Sequence, residues 1–394
     1  MFRFAKWFLY TVLATVAMAG YVTARAADLI FRDDFELPTF RGTNLAGMEM
    51  AYINFVQSTG PVADHDYSLY DTRVIDFYVS KRMTAFRFFF SWEGMQTTLY
   101  GSIPAANSGN YKAYFDNYKR IVDYATNMRG MQVIVEPWQA DSSGGVGGAR
   151  YRGVLVGSNP GTVPDAAFAD FWTKMATIFK DNPLVSYGLV NEPNHMSTLS
   201  WWGTAQAAIT AIRSTGSTQR IFVQGNCYTA ASTWTSNACG DTDPTPHSNA
   251  YGWLNANGPG QPIADPANNI VAEVHCYLDA DGSGSSTDIV SITTARDRIA
   301  IALNEAAAHG YKIYLGEMGF WAGNALAPGA WADFIDYFNH HRDTLIGFTW
   351  WAGGMPGWWD DVGATNGGHF AITPTNGATF TGDTINMQMI QNDF

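Results

Sequence analysis

Eight short apolar runs punctuate this chain, and between several of them the apolar spacing lengthens from strand-like to helical. The runs fall at 42–47, 84–90, 131–136, 185–190, 220–225, 270–277, 312–316 and 346–351. Several are rich in Val, Ile and Phe without strict alternation, the pattern of parallel strands buried on both faces. Between them Phe168, Phe171, Trp172, Met175 and Phe179 recur at helical steps, and so do Ala205, Ala208, Ile209 and Ile212. Ile299, Ala302, Leu303 and Ala306 make a third stripe, with Gly310 placed to stop it, and Trp331, Phe334, Ile335 and Phe338 a fourth. Pro164-Asp165 is a start signal for the first of these helices. Strands alternating with helices predict an α/β fold, a closed (β/α)8 TIM barrel. A doubly wound open sheet uses the same alternation and is the competing layout.

With 394 residues, 46% of them hydrophobic and only 15% charged, the chain can bury a large single core. A formal net charge of −12 without a long basic run excludes nucleic acid and an anionic membrane as natural partners. A neutral polysaccharide fits better. Arg3 and Lys6 precede an apolar stretch from Trp7 to Val22, and Ala24-Arg25-Ala26 supplies a small-x-small cleavage pattern. Residues 1–26 therefore predict a signal peptide, and 28–394 one catalytic domain, secreted, monomeric and free of the membrane after cleavage. The alternative is a membrane anchor, but the stretch is shorter than the roughly 20 residues a span requires. Export permits disulfides. Of the three cysteines, Cys276 sits between His275 and Tyr277 and is expected to face apolar packing, while Cys227 and Cys239 flank one loop and are the better candidates for a bond.

In a barrel, working residues sit at the C-terminal ends of strands. Those ends carry Arg87, the segment 136–139, Asn191-Glu192, Asn226, His275, Tyr277, Glu317 and Trp350-Trp351. A single strand-end carboxylate is usually a salt-bridged structural group. Two of them, in Asn191-Glu192-Pro193 and Gly316-Glu317-Met318, are the minimum equipment for cleaving a glycosidic bond.

The chain resembles glycoside hydrolase family 5 in six segments that follow one another in the family's order. They are Arg41-Gly42-Thr43-Asn44-Leu45-Ala46-Gly47, Phe86-Arg87-Phe88-Phe89-Phe90-Ser91-Trp92-Glu93, Asn191-Glu192-Pro193, the run from Glu273-Val274-His275-Cys276-Tyr277 to Ser285, Leu315-Gly316-Glu317-Met318-Gly319, and Gly347-Phe348-Thr349-Trp350-Trp351-Ala352. The resemblance implies a retaining endo-β-1,4-glucanase. Glu192 would be its general acid/base and Glu317 its nucleophile, kept ionised by Arg87 and Tyr277. Asn191 would contact the sugar 2-hydroxyl, His275 would bond within the site, and Trp351 would floor the sugar at the cleavage point.

One departure stands out. The family usually has a His-Asn pair after the third strand, where this chain has Trp138-Gln139. Tryptophan offers one donor and a stacking face, so the neighbouring sugar subsite is reshaped. Another β-glycan, such as mannan, xyloglucan or a branched exopolysaccharide, is therefore the rival substrate, and an inactive carbohydrate-binding barrel is the rival outside catalysis.

Trp172 and Trp331 lie on helical stripes and are expected in the core. Trp92, Trp234, Trp321, Trp358 and Trp359 follow strands and are expected at the mouth, where rings can stack on pyranose faces. Asp279-Ala280-Asp281-Gly282-Ser283-Gly284 begins like a calcium loop, but Val290 stands where such a loop needs Glu. No phosphate loop, nucleotide fingerprint or serine triad is present, so neither a cofactor nor a metal is expected.

Overall fold

The structure, a computed structural model, describes residues 40–52, 60–107, 109–139, 148–157, 161–237, 241–357 and 368–394. The signal-peptide reading, Cys239, Trp358 and Trp359 lie outside the described residues. Eight parallel strands close into a barrel: β1 (Phe40–Leu45), β2 (Ala85–Phe90), β3 (Gln132–Pro137), β4 (Val185–Gly188), β5 (Ile221–Gln224), β6 (Ile270–Tyr277), β7 (Ile313–Gly319) and β8 (Leu345–Gly353). Neighbours in sequence are neighbours in the sheet, and β1 pairs with β8 to close it. The open sheet is thereby ruled out.

A helix follows every strand: α1 (Thr72–Ser80), α2 (Gly109–Asp123), α3 (Asp165–Phe179), α4 (Thr198–Ser214), α5 (Asn249–Asn255), α6 (Thr294–His309), α7 (Ala327–His340) and α8 (Ile385–Ile390). The four stripes read from the sequence fall on α3, α4, α6 and α7, and Gly310 caps α6 in the left-handed region at φ 74°. Gly tolerates that conformation because it has no Cβ. The apolar faces of these helices meet the outer faces of the strands in one continuous core, in which Phe171, Trp172, Phe334 and Phe348 are buried. Trp331 belongs to it too, as expected. Among the described residues, no helix is long and apolar enough to cross a membrane.

Inside the barrel the side chains are layered, because residues two apart on a strand share a face. The lowest layer is apolar and separate from the outer core: Phe40, Ala85, Ile134, Phe222, Val271, Tyr314 and Ile346. Two residues further along β2, β3, β5 and β6 come Arg87, Glu136, Gln224 and Glu273, all fully buried. Side chains of this kind need partners of their own at that depth. Two residues beyond these lie Phe89, Trp138, Asn226 and His275.

Candidate active site

Arg87 organises the polar layer. Its Nε donates to Glu136 Oε2 at 2.9 Å and lies 2.9 Å from Glu273 Oε1, while Nη2 donates to Glu136 Oε1. Nη1 donates to Asn44 Oδ1 (3.1 Å) and Glu317 Oε1 (2.7 Å), and Nη2 also reaches Asn191 Oδ1 (2.7 Å). One planar fork thus serves three carboxylates and two amides, a set that a lysine could not match. The carboxylates fit because two strand positions are glycine. A Cβ at Gly188 would stand 2.0 Å from Glu136 Oε2, and one at Gly316 would stand 2.0 Å from Glu273 Oε1.

Glu317 owes its place to an irregularity in β7. Val274 pairs with Leu315, but His275 pairs with Glu317, so the register slips by one residue at Gly316. Such a bulge re-aims the side chain that follows it. Glu317 then receives Arg87 on Oε1 and the Tyr277 hydroxyl on Oε2, the latter at 2.7 Å. Burial alone would raise its pKa, but the charges of His275 and Arg87 and the Tyr277 bond outweigh it and hold the group below the usual carboxylate range.

Glu192 lies beyond the end of β4 in a left-handed conformation, φ 47°. Its Oε1 is 2.8 Å from His275 Nδ1, which is also 3.5 Å from Glu317 Oε2. Burial, reinforced by the negative charge of Glu317, raises the Glu192 pKa. The two carboxyls therefore differ in the direction their surroundings push them, the usual mark of an acid and a base set to separate tasks. His275 lies between them. Burial opposes charge on its ring, yet Glu317 and the bonds to Glu192 and Glu273 lift its pKa to about 10.

Asn191 is buried, and its Nδ2 has no hydrogen-bond partner among the described residues. Its Oδ1 is fixed by Arg87, so a donor is left over at the site. Trp351 is half-buried and packs against an apolar cluster of Ala46, Phe89, Trp138, Ala352 and Ala371. Trp138 is nearly buried there, at 8% exposure, so it presents an edge of that cluster more than an open face. Beside it, Gln139 is 1% exposed; both atoms of its amide lack a bond of normal geometry among the described residues, although the amide lies close enough to Glu93 to help lower that carboxyl's pKa against burial. Trp321 is exposed (39%), just past β7.

Two aromatic expectations fail. Trp92 is buried against Tyr151, Phe168 and Phe171, and its indole N–H donates to Gln96. Trp234 is buried against Trp202 and donates to the Tyr311 hydroxyl. Position after a strand places a ring near the mouth but does not say whether it turns outward, and both rings turned into packing. The Asn226 Nδ2 donates to Met196 O and Thr198 Oγ1, while its Oδ1 has no partner among the described residues. Cys227 is disulfide-bonded, and Cys276 is free and buried as anticipated. Asp279 accepts backbone N–H bonds from Gly284, Ser285 and Ser286, which makes its turn self-contained.

Glu192, His275 and Glu317 each offer an atom within 4.8 Å of the others, a spacing that could hold a cation. Arg87, Tyr277 and His275 already meet the charge and hydrogen-bonding needs of Glu317. Glu136 stood among the strand-end candidates without a role of its own, and Glu273, Gln224 and Asn44 were given none. The signal was available for Glu273, which sits two positions before His275 and four before Tyr277 and so shares their face.

Known proteins resemble this chain in sequence and in fold. A family model described as cellulase (glycosyl hydrolase family 5) matches residues 39–354. An endo-beta-1,4-glucanase A of Emericella nidulans is 31% identical over 344 residues, covering 87% of this chain and 89% of its own length. Among solved structures, the endo-beta-1,4-glucanase Xac0029 of Xanthomonas axonopodis pv. citri superposes with a TM-score of 0.74 at 28% identity, covering 90% of this chain and 98% of that one. The Pseudomonas stutzeri endoglucanase Cel5A, in complex with cellobiose, gives 0.69 at 27% identity, with 92% and 94% covered.

Proposed function

The chain belongs to glycosyl hydrolase family 5, and from that premise we propose that it is a secreted, retaining endo-β-1,4-glucanase. The observation that carries the reading is the pair of carboxyls. Glu192 and Glu317 offer oxygens within 4.8 Å of each other, one carboxyl with a raised pKa and the other with a lowered one. Retaining enzymes hold their two carboxyls about 5–5.5 Å apart, whereas inverting ones leave about 6.5–9.5 Å for a water.

In the first step Glu317 attacks the anomeric carbon while Glu192 delivers its proton to the departing glycosidic oxygen. The Glu317 charge disappears as the glycosyl ester forms; burial still raises the Glu192 pKa, but the added repulsion from Glu317 is gone. The deprotonated Glu192 then takes a proton from water, which attacks the ester carbon and releases Glu317. The free Nδ2 of Asn191 is suited to a sugar hydroxyl whose bond strengthens in the transition state. Trp351 and the exposed Trp321 are the aromatic surfaces for the glucan, and a polysaccharide is the partner. Secretion is supported by the signal-like residues 1–26.

Hydrolysis of soluble β-1,4-glucan, followed by NMR of fresh product, tests this. A β-anomer appearing first supports retention, and an α-anomer would overturn it. The Trp138-Gln139 pair favours a second substrate reading within the same chemistry. The buried Gln139 amide, close to Glu93 but without a bond of normal geometry among the described residues, has bonding capacity suited to a hydroxyl or branch that a plain glucan does not place there. A higher kcat/KM on mannan, xyloglucan or a branched glycan than on linear glucan would establish that reading. Binding without cleavage of any of them would favour the non-catalytic one.

A further inference from the structure

Glu273 touches neither catalytic carboxyl, yet it touches a partner of each. Its Oε1 lies 2.9 Å from Arg87 Nε and 3.2 Å from His275 Nε2, and its Oε2 accepts from Gln224 Nε2 at 2.7 Å. Gln224 is itself held in place by the backbone N–H of Val190, which donates to its Oε1. The carboxylate is fully buried, and the missing side chain of Gly316 makes room for it. This much construction around one acid exceeds what neutralising Arg87 requires, because Glu136 already meets that guanidinium with two bonds.

We propose that Glu273 is a positioning residue that keeps His275 as a two-proton donor and thereby decides which oxygen of Glu192 carries the catalytic proton. With N–H on both ring nitrogens, Nε2 donates to Glu273 and Nδ1 donates to Glu192 Oε1, as the 3.2 and 2.8 Å distances permit. An oxygen that accepts from Nδ1–H does not also hold the acid's proton, so that proton rests on Oε2. A neutral His275 with its single proton on Nε2 would instead turn a lone pair toward Glu192 and draw the proton to Oε1, away from the leaving group. Other groups facing this pair are Arg87 on β2, Glu136 on β3, Tyr277 on β6, and Tyr314 and Glu317 on β7. Arg87 opposes a second cation on His275, and the carboxylates favour it. Glu273 is the only one of these acids bonded to Nε2 among the described residues.

The inference rests on the roles proposed above for Glu192 and Glu317. Its test is the dependence of rate on the leaving group. In Glu273→Gln, kcat/KM on a soluble cello-oligosaccharide, whose sugar leaving group needs the acid, should fall by about tenfold or more, a fraction of the full general-acid contribution. On a nitrophenyl cellobioside, whose leaving group needs little protonation, it should change by less than about threefold. Equal losses on both substrates with an unchanged pH profile would reduce Glu273 to a structural part and overturn the proposal. An independent reading uses the wild-type enzyme, so it holds even where the variant fails to fold. Side-chain 15N shifts of His275, assigned by their loss in His275→Asn, should report two N–H groups at pH 7, and a neutral ring would overturn the proposal. These results are separable from failure of the parent reading, which would appear as an active Glu317→Gln variant or an inverted product.

Discussion

The barrel wall has two faces, and they are built on opposite principles. Outside, between strands and helices, lies a continuous apolar core in which rings such as Phe334, Phe338 and Phe348 meet edge to face. Inside, above one apolar layer, buried positions are occupied by Arg87, Glu136, Glu273, Glu317 and His275. The outer face gains stability from burial, and any apolar side chain of similar volume serves nearly as well. The inner face bears a desolvation cost of several kcal/mol per ion, which only well-formed bonds offset. Stability is therefore concentrated outside and chemistry inside, and substitutions on the two faces should fail in different ways.

The largest expected effect is on the inner face. Glu317→Gln should reduce turnover to background while the thermal transition stays within a few degrees of wild type, as activity assays beside calorimetry would reveal. Glu192→Gln should lower kcat/KM on glucan by about 10²–10⁴-fold, the general acid/base contribution. On the outer face Phe334→Ala should cost about 3–5 kcal/mol in denaturant unfolding, with kcat per folded molecule unchanged; a large loss of kcat would blur the division. Gly188→Ala crosses between the two. Its Cβ would meet Glu136 at 2.0 Å, so about 1–3 kcal/mol of overpacking strain should come with a loss of activity.

The pH dependence sharpens the same contrast. Activity should rise as pH passes the lowered pKa of Glu317, ionised in the proposed mechanism, and fall as pH passes the raised pKa of Glu192, protonated in it. Stability follows other groups. Glu49, raised by burial to about 7, and His275, at about 10, have folded pKa values above their unfolded ones. What they contribute is complete below the ordinary pKa of each and is lost as pH rises through about 7 and about 10. Melting temperatures should decline from about pH 5 to 7 through Glu49 and on toward pH 10 through His275, and a rise between pH 5 and 7 would contradict the burial assigned to Glu49.

Much of the wall was legible in the sequence because periodicity reports burial. All eight strands and the stripes on α3, α4, α6 and α7 lie close to where spacing put them. The site was legible where a segment carried its own signature, as at Asn191-Glu192-Pro193 or at Glu317. It was not legible where meaning depends on distant partners. Glu136 could be placed at a strand end, but its role has no sign in the sequence until the fold brings Arg87, 49 residues away, against it. Trp92 and Trp234 were placed at the mouth because a strand-end position fixes the height of a ring but not its direction. The slip at Gly316, which brings Glu317 beside His275, belongs to the pairing of two strands and is written in neither alone.

Arg87 has one more consequence. A carboxylate in water is stabilised by molecules that must turn as its charge leaves, and that turning is part of the activation barrier. Here the same office is filled by a guanidinium clamped between Glu136, Glu273, Asn44 and Asn191. It cannot turn. In the proposed mechanism Glu317 reacts from a solvent that was set in place when the chain folded, so little reorganisation is left for the moment of bond formation.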